Sequence, residues 1–205
     1  YPGRGKRMVE SLLEEINLVT EDCYKTIKND LSGDFIFWGH SMGACVAFLL
    51  TQKLLNNGEK LPKRLIVSGR NAPSTFNRRE KINDYPRDLF IEKLRKLGGT
   101  TDEVLLNPDL MEFFEPILRA DFKAIENYTP STFNTLDIPI SVWYGSTEDL
   151  TKEEITLWQK ETTKPIEIKE FEGNHFFLFN NWNEIAEQLK LHLKEANNPQ
   201  LQTSL

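Results

Sequence analysis

Cysteine and histidine are scarce in this sequence: two cysteines, Cys23 and Cys45, and three histidines in 205 residues. Two cysteines make neither a disulfide framework nor a complete zinc site, so free thiols in a reducing cytoplasm are expected. No apolar run approaches the roughly 20 residues that a membrane-spanning helix needs, and the start lacks the charged, apolar and small-residue sections of a signal peptide. Positive charge is not in excess either: 25 Lys and Arg stand against 31 Asp and Glu, which argues against a general affinity for nucleic acid or anionic membrane. No metal-ligand cluster, phosphate-binding loop or dinucleotide fingerprint occurs, so no metal or other cofactor is expected.

What is present is an ordinary globular composition, 39% hydrophobic and 27% charged, at a length that suits one domain spanning 1–205. Residues 8 to 30 carry Met8, Leu12, Leu13, Ile16, Val19, Cys23 and Ile27 at helical spacing. Phe35 to Trp38 and Leu65 to Ser68 read as short strands buried on both faces, separated by a helix from Met42 to about Asn56. Further strands are expected at 140 to 144 and 166 to 171, with helices at 151 to 162 and 182 to 196. Strand and helix in alternation predict an α/β fold with a mostly parallel sheet flanked by helices. Between 77 and 128 the strand signal vanishes and segments 87 to 97, 109 to 118 and 118 to 128 look helical, which predicts a lid insertion beyond the carboxyl ends of the strands. The polar tail from Asn197 is expected to fray.

The chemistry is expected at Gly39-His40-Ser41-Met42-Gly43. A serine hydroxyl is a poor nucleophile unless it is exposed, held against a base and faced by donors for the developing oxyanion. The glycines of G-x-S-x-G permit a tight strand-to-helix turn that projects the serine from the top of an α/β-hydrolase sheet. Ser41 is therefore the expected nucleophile, and the backbone NH of Met42, at a helix N-terminus, the expected oxyanion donor.

In this fold the acid and then the base follow the serine. Of the three histidines, His40 adjoins the nucleophile and is expected to point away from it, and His192 lies in the final helix and reads as a surface residue. His175, in a glycine-containing loop after a strand, is the expected base. Asp149 is the expected acid, in the loop after strand 140 to 144. Its neighbour Glu148 would replace it under a different loop conformation, and Asp121 is a more distant alternative.

Six segments carry a family resemblance: Pro2-Gly3-Arg4-Gly5, Gly39 to Ala44, Ser68-Gly69-Arg70-Asn71-Ala72-Pro73, Leu118-Arg119-Ala120-Asp121-Phe122, Gly145 to Asp149, and Gly173-Asn174-His175-Phe176-Phe177. In this order they extend over nearly the whole chain, which resembles the type II thioesterases of nonribosomal peptide and polyketide synthesis. That resemblance implies hydrolysis of acyl or aminoacyl thioesters from the phosphopantetheine arm of carrier proteins, through Ser41, His175 and Asp149 and an acyl-enzyme intermediate. The arm would arrive with the substrate, acyl or peptidyl carrier domains would be the partners, and a monomer is expected. Leu110, Met111, Phe113, Phe114 and Leu118 would line the acyl chamber or, for most of them, pack the lid onto the domain. Arg70 and Asp121 are expected in a buried ion pair or as loop anchors. Of the basic runs Lys60, Lys63, Arg64 and Arg78, Arg79, Lys81, one would help to dock an acidic carrier, or each is a solvated face.

Members of the family carry an early strand and a glycine-containing loop before the Pro-Gly-Arg-Gly motif. These N-terminal strands are missing from this chain, which opens on Tyr1 as expected of a fragment or a processed product. Two other readings stand beside this one: a thioesterase releasing medium-length fatty acyl chains from a carrier, and a noncatalytic binding protein that retains the fold.

Overall fold

A computed structural model describes residues 1–75, 80–129 and 132–197. Its centre is a sheet of four parallel strands, β1 (Phe37–His40), β2 (Leu65–Ser68), β3 (Ile140–Gly145) and β4 (Glu167–Phe171), in the spatial order β1-β2-β3-β4. Parallel neighbours need crossovers, and the helices supply them. Helix α2 (Met42–Asn56) links β1 to β2; α3 (Arg87–Leu97), α4 (Asp102–Leu105) and α5 (Pro108–Glu126) lie between β2 and β3; α6 (Lys152–Thr156) precedes β4. Helix α1 (Ile16–Ile27) precedes the sheet and α7 (Trp182–Asn197) follows it. This is the expected α/β fold with a helical insertion.

Two layers of core clasp the sheet. On one side α1 and α2 bring Ile16, Val19, Phe48 and Leu49 against Leu65, Val67, Ile140 and Val142. On the other, Ile66, Trp143, Phe171 and Phe177 meet Ile185 of α7. All four residues of β2 are buried, which explains its continuous apolar run. The insertion has a smaller core of its own, Ile82, Phe90, Leu94, Leu105 and Met111. It is a packed helical layer rather than a loop. Its expected start, 77 to 79, lies outside the described residues, as does the tail from 198. Among the described residues no helix is long and apolar enough to cross a membrane.

Several elements differ from the sequence pattern. Helix α1 begins at Ile16 rather than Met8, because Met8 and Val9 are exposed and the segment before the helix is pinned back onto it by Arg7, whose guanidinium donates to Asp22 at 2.6 and 2.7 Å. Strand β1 starts two residues late, at Phe37, where pairing with Leu65 sets the register, and runs through Gly39 to His40. Gly39 is obligatory in it: a Cβ there would lie 2.0 Å from the carbonyl oxygen of Gly43 in the first turn of α2. Helix α5 is one helix, capped by the Asn107 side chain and continuing through Pro116, rather than two. The helix expected over 151 to 162 tightens after Thr156 into a 3-10 segment, Leu157–Glu161.

His192 is not a surface residue. Ile185, Leu189, His192 and Ala196 recur at spacings of three and four, so they share the stripe of α7 that faces the sheet. His192 is 4% exposed, its ring stacked on Trp143, with Nδ1 3.2 Å from Glu195 Oε2.

Candidate active site

Because all four strands are parallel, the loops after them converge on one edge of the sheet, the edge where α/β folds bind ligands. Ser41 follows β1 at φ 55°, ψ −117° and is the only residue other than glycine at positive φ among those described. Strain of this kind costs on the order of 1–3 kcal/mol and persists only where neighbours enforce it. Here β2 enforces it, since the Ser41 amide donates to the Ser68 carbonyl at 2.8 Å. Met42 is the first residue of α2, so its NH has no carbonyl one turn earlier within the helix and sits at the positive end of the helix dipole.

His175 lies beyond β4, 8% exposed, with Nε2 2.9 Å from Ser41 Oγ. The loop after β3 is cross-linked to it: Ser146 N donates to Phe171 O at 2.8 Å and Thr147 N to Gly173 O at 2.9 Å. These bonds carry the next residue, Glu148, into the interior, where its Oε1 meets His175 Nδ1. Its other oxygen accepts from the Gly145 amide at 3.2 Å, and the side chain is 1% exposed. Asp149 is exposed and makes no such contact. The carboxylate that meets the imidazole is thus Glu148, one residue before the expected Asp149: the turn in which Glu148 N donates to Gly145 O at 3.0 Å directs Glu148 inward, and its longer side chain spans to the imidazole. Only the neighbouring carboxylate in the sequence hinted at this.

Asp121 takes no part in that network. It accepts two hydrogen bonds from Arg4, both at 2.8 Å, tying the Pro-Gly-Arg-Gly segment to α5. The ion-pair expectation for Asp121 is met, although the pair is only partly buried. Arg70 is 7% exposed, and its carbonyl accepts from Trp158 Nε1 at 2.8 Å. Cys45, one turn beyond Ser41 in α2, offers no rival thiolate, since burial pushes its thiol up to about 12.

A cavity of about 620 Å³ opens at Ser41 and His175, with Ile82, Leu97, Phe122 and Ile125 of the insertion on its wall. The apolar residues named from sequence do not line it. Met111 is buried in the insertion core, with Leu118 packed against it, whereas Phe113 and Phe114 are 43% and 38% exposed. Leu110 is half-buried. The cavity instead receives the later turn of α5, from Phe122 onward.

Of the basic runs, the first is internally neutralised. Lys60 and Lys63 reach Asp34 at 2.8 and 3.8 Å, and the buried Arg64 reaches Glu167 at 2.8 Å and Glu195 at 3.4 Å. It is therefore no free cationic patch. Arg78 and Arg79 lie outside the described residues; Lys81 donates to Asn127 Oδ1 at 3.2 Å.

The family model for the thioesterase domain matches residues 1–193. The chain belongs to the thioesterase family. This thioesterase is 31% identical over 197 residues to the gramicidin S biosynthesis protein GrsT of Aneurinibacillus migulanus, covering 94% of this chain and 77% of the relative. It is likewise 31% identical to the thioesterase PikA5 of Streptomyces venezuelae, over 94% of this chain and 69% of that protein. Among solved structures, ClbQ from the colibactin pathway superposes with a TM-score of 0.88 at 28% identity, covering 96% of this chain and 84% of the other. The type II thioesterase BorB from the borrelidin cluster gives 0.85 at 29%, covering 94% and 79%. The thioesterase described here is thus a type II member of the α/β-hydrolase superfamily.

Proposed function

We propose that this thioesterase hydrolyses acyl or aminoacyl thioesters on the phosphopantetheine arm of carrier domains, regenerating a nonribosomal peptide or polyketide synthase. One observation carries the reading: Ser41 Oγ lies 2.9 Å from His175 Nε2, His175 Nδ1 meets a carboxylate, and the serine opens into a cavity walled by the insertion. The names of its relatives, a gramicidin S biosynthesis protein, a type II thioesterase from the borrelidin biosynthetic cluster and ClbQ from a colibactin NRPS/PKS pathway, favour carrier-bound substrates.

In the proposed sequence Ser41 Oγ attacks the thioester carbonyl as His175 Nε2 takes its proton, and the oxyanion forms against the Met42 NH. Glu148 stays ionised, orients the ring and stabilises the imidazolium. Collapse breaks the carbon–sulfur bond, and His175 returns the proton to the departing pantetheine thiolate. Water, deprotonated by His175, then attacks the acyl-serine. It releases the carboxylic acid and restores Ser41. We take the whole as one domain whose insertion serves as the lid, acting as a monomer in the cytoplasm. The free thiols of Cys23 and Cys45 suit a reducing compartment.

The test is mass spectrometry of a panel of acylated carriers, from acetyl and aminoacyl to dodecanoyl, before and after exposure to the protein and to Ser41→Ala. Loss of acyl mass with the wild type, reduced about 10⁴-fold or more in Ser41→Ala, is expected. Hydrolysis unchanged in Ser41→Ala would sink the proposal, and strong selectivity for dodecanoyl would favour release of fatty acyl chains over editing.

A further inference from the structure

We propose that His40 is a positioning residue for His175, an imidazole wall oriented by Ser68 that keeps the base aimed at Ser41. The inference rests on the Ser41–His175 reading above.

His40 is not itself the base, because its ring is turned to a different partner. Its Nδ1 lies 3.0 Å from Ser68 Oγ. Ser68 is 1% exposed, and its Oγ accepts Trp38 Nε1–H at 3.2 Å and lies 3.2 Å from the Gly39 carbonyl oxygen. These neighbours hold Oγ in place and, through it, the His40 ring. The Ser68 carbonyl accepts from the Ser41 amide. Ser68 thus ties residues 38 to 41, the whole approach to the nucleophile, to one buried point.

The ring so oriented lies against the base, its plane inclined by 43° to that of His175. The His40 and His175 ring centroids are 4.8 Å apart, and Phe176 and Phe177 close on His40 at 5.5 and 5.8 Å. Both imidazoles converge over Gly69, where a Cβ would stand 2.7 Å from His40 Cε1 and 3.1 Å from His175 Cε1. The hydrogen bonds of His175 fix its two nitrogens along one line, Ser41 to Glu148, and leave the ring free to tilt about that line. The His40 ring blocks the tilt on one side. This matters most when Nε2 carries the proton between serine and leaving thiol, since its bond to Ser41 is then broken and remade. A misplacement of about 1 Å at such a step costs roughly 100-fold in rate.

The test compares His40→Ala, His40→Leu and His40→Phe, measuring both carrier-thioester turnover and the rate at which a small fluorophosphonate labels Ser41. Expected are kcat and labelling rates about 10- to 100-fold lower in the variants without a ring, KM for the acyl carrier within about twofold, and a partial recovery of both rates in His40→Phe. Thermal melts select whichever of His40→Ala and His40→Leu is folded at the assay temperature. A folded ringless variant with wild-type kcat, a loss confined to KM, or no gain of His40→Phe over the ringless variants overturns the inference. Ser41→Ala and His175→Ala serve as controls. Activity retained in them refutes the catalytic reading itself, whereas activity lost in them but undiminished in the His40 series refutes only the role of His40.

Discussion

The Glu148 carboxylate meets His175 Nδ1 with one oxygen and accepts the Gly145 amide hydrogen with the other, from a side chain 1% exposed. A carboxylate so placed holds the imidazole tautomer that leaves Nε2 free to accept the serine proton. Glu148→Gln should therefore lower kcat by about 10²- to 10⁴-fold with little change in Tm, whereas Asp149→Asn should cost at most about fivefold. Steady-state hydrolysis of one carrier thioester by the two variants decides the assignment. Equal losses, or the larger loss in Asp149→Asn, would return the role to Asp149.

The end of α3 rests on the loop that carries His175. A Cβ on Gly99 would lie 2.2 Å from both Cε2 and Cζ of Phe176, next to His175 in the chain. Overpacking of a close contact typically costs about 1–3 kcal/mol. Gly99→Ala should therefore push the insertion away from the loop and lower kcat, and Phe176→Leu in the same chain should restore part of the loss. A double-mutant cycle on kcat reads the coupling, expected at about 1 kcal/mol or more. Strict additivity would mean that the contact transmits nothing to the site.

His192 makes stability depend on pH. Burial, with the Arg64 guanidinium nearby, holds its imidazole below the ordinary value, although Glu195 opposes this. The fold therefore favours neutral His192, and the unfolded chain takes up the proton first. Its contribution is fully present above about pH 6.5, the unfolded value, and is lost as pH falls through the lower folded value. Urea midpoints between pH 8 and 5 should fall more steeply for the wild type than for His192→Phe, which keeps a ring beside Trp143. Parallel pH profiles would show that His192 contributes no such linkage.

Much of this protein was legible along the chain because the signals are local. The apolar runs Phe35 to Trp38, only half-buried because β1 is an edge strand, and Leu65 to Ser68, fully buried, the helix between them and the glycines around Ser41 all act within a few residues, as does the strand-then-glycine context of His175. Helix α1 shows the limit of such patterns: Met8 continues the apolar spacing of the helix but is 52% exposed. His192 shows it from the other side: its polarity pointed to the surface, whereas its spacing from Ile185 and Ala196 places it on the buried stripe, 4% exposed.

The order of the serine turn, the acidic loop and the histidine loop was thus written in the sequence, together with the parallel α/β architecture that gathers them at one edge. Only the tertiary structure decided which of two adjacent carboxylates turns inward, that Arg4 and Asp121 pair across 117 positions, and that His40 lies against His175. The physical reason is the same in each case. Glycine turns and helical periodicity are set by the backbone and near neighbours, whereas a side chain's partner is set by loops and strands that approach from distant parts of the chain. A shift of one residue in the loop after β3 exchanges a buried Glu148 for a solvated Asp149.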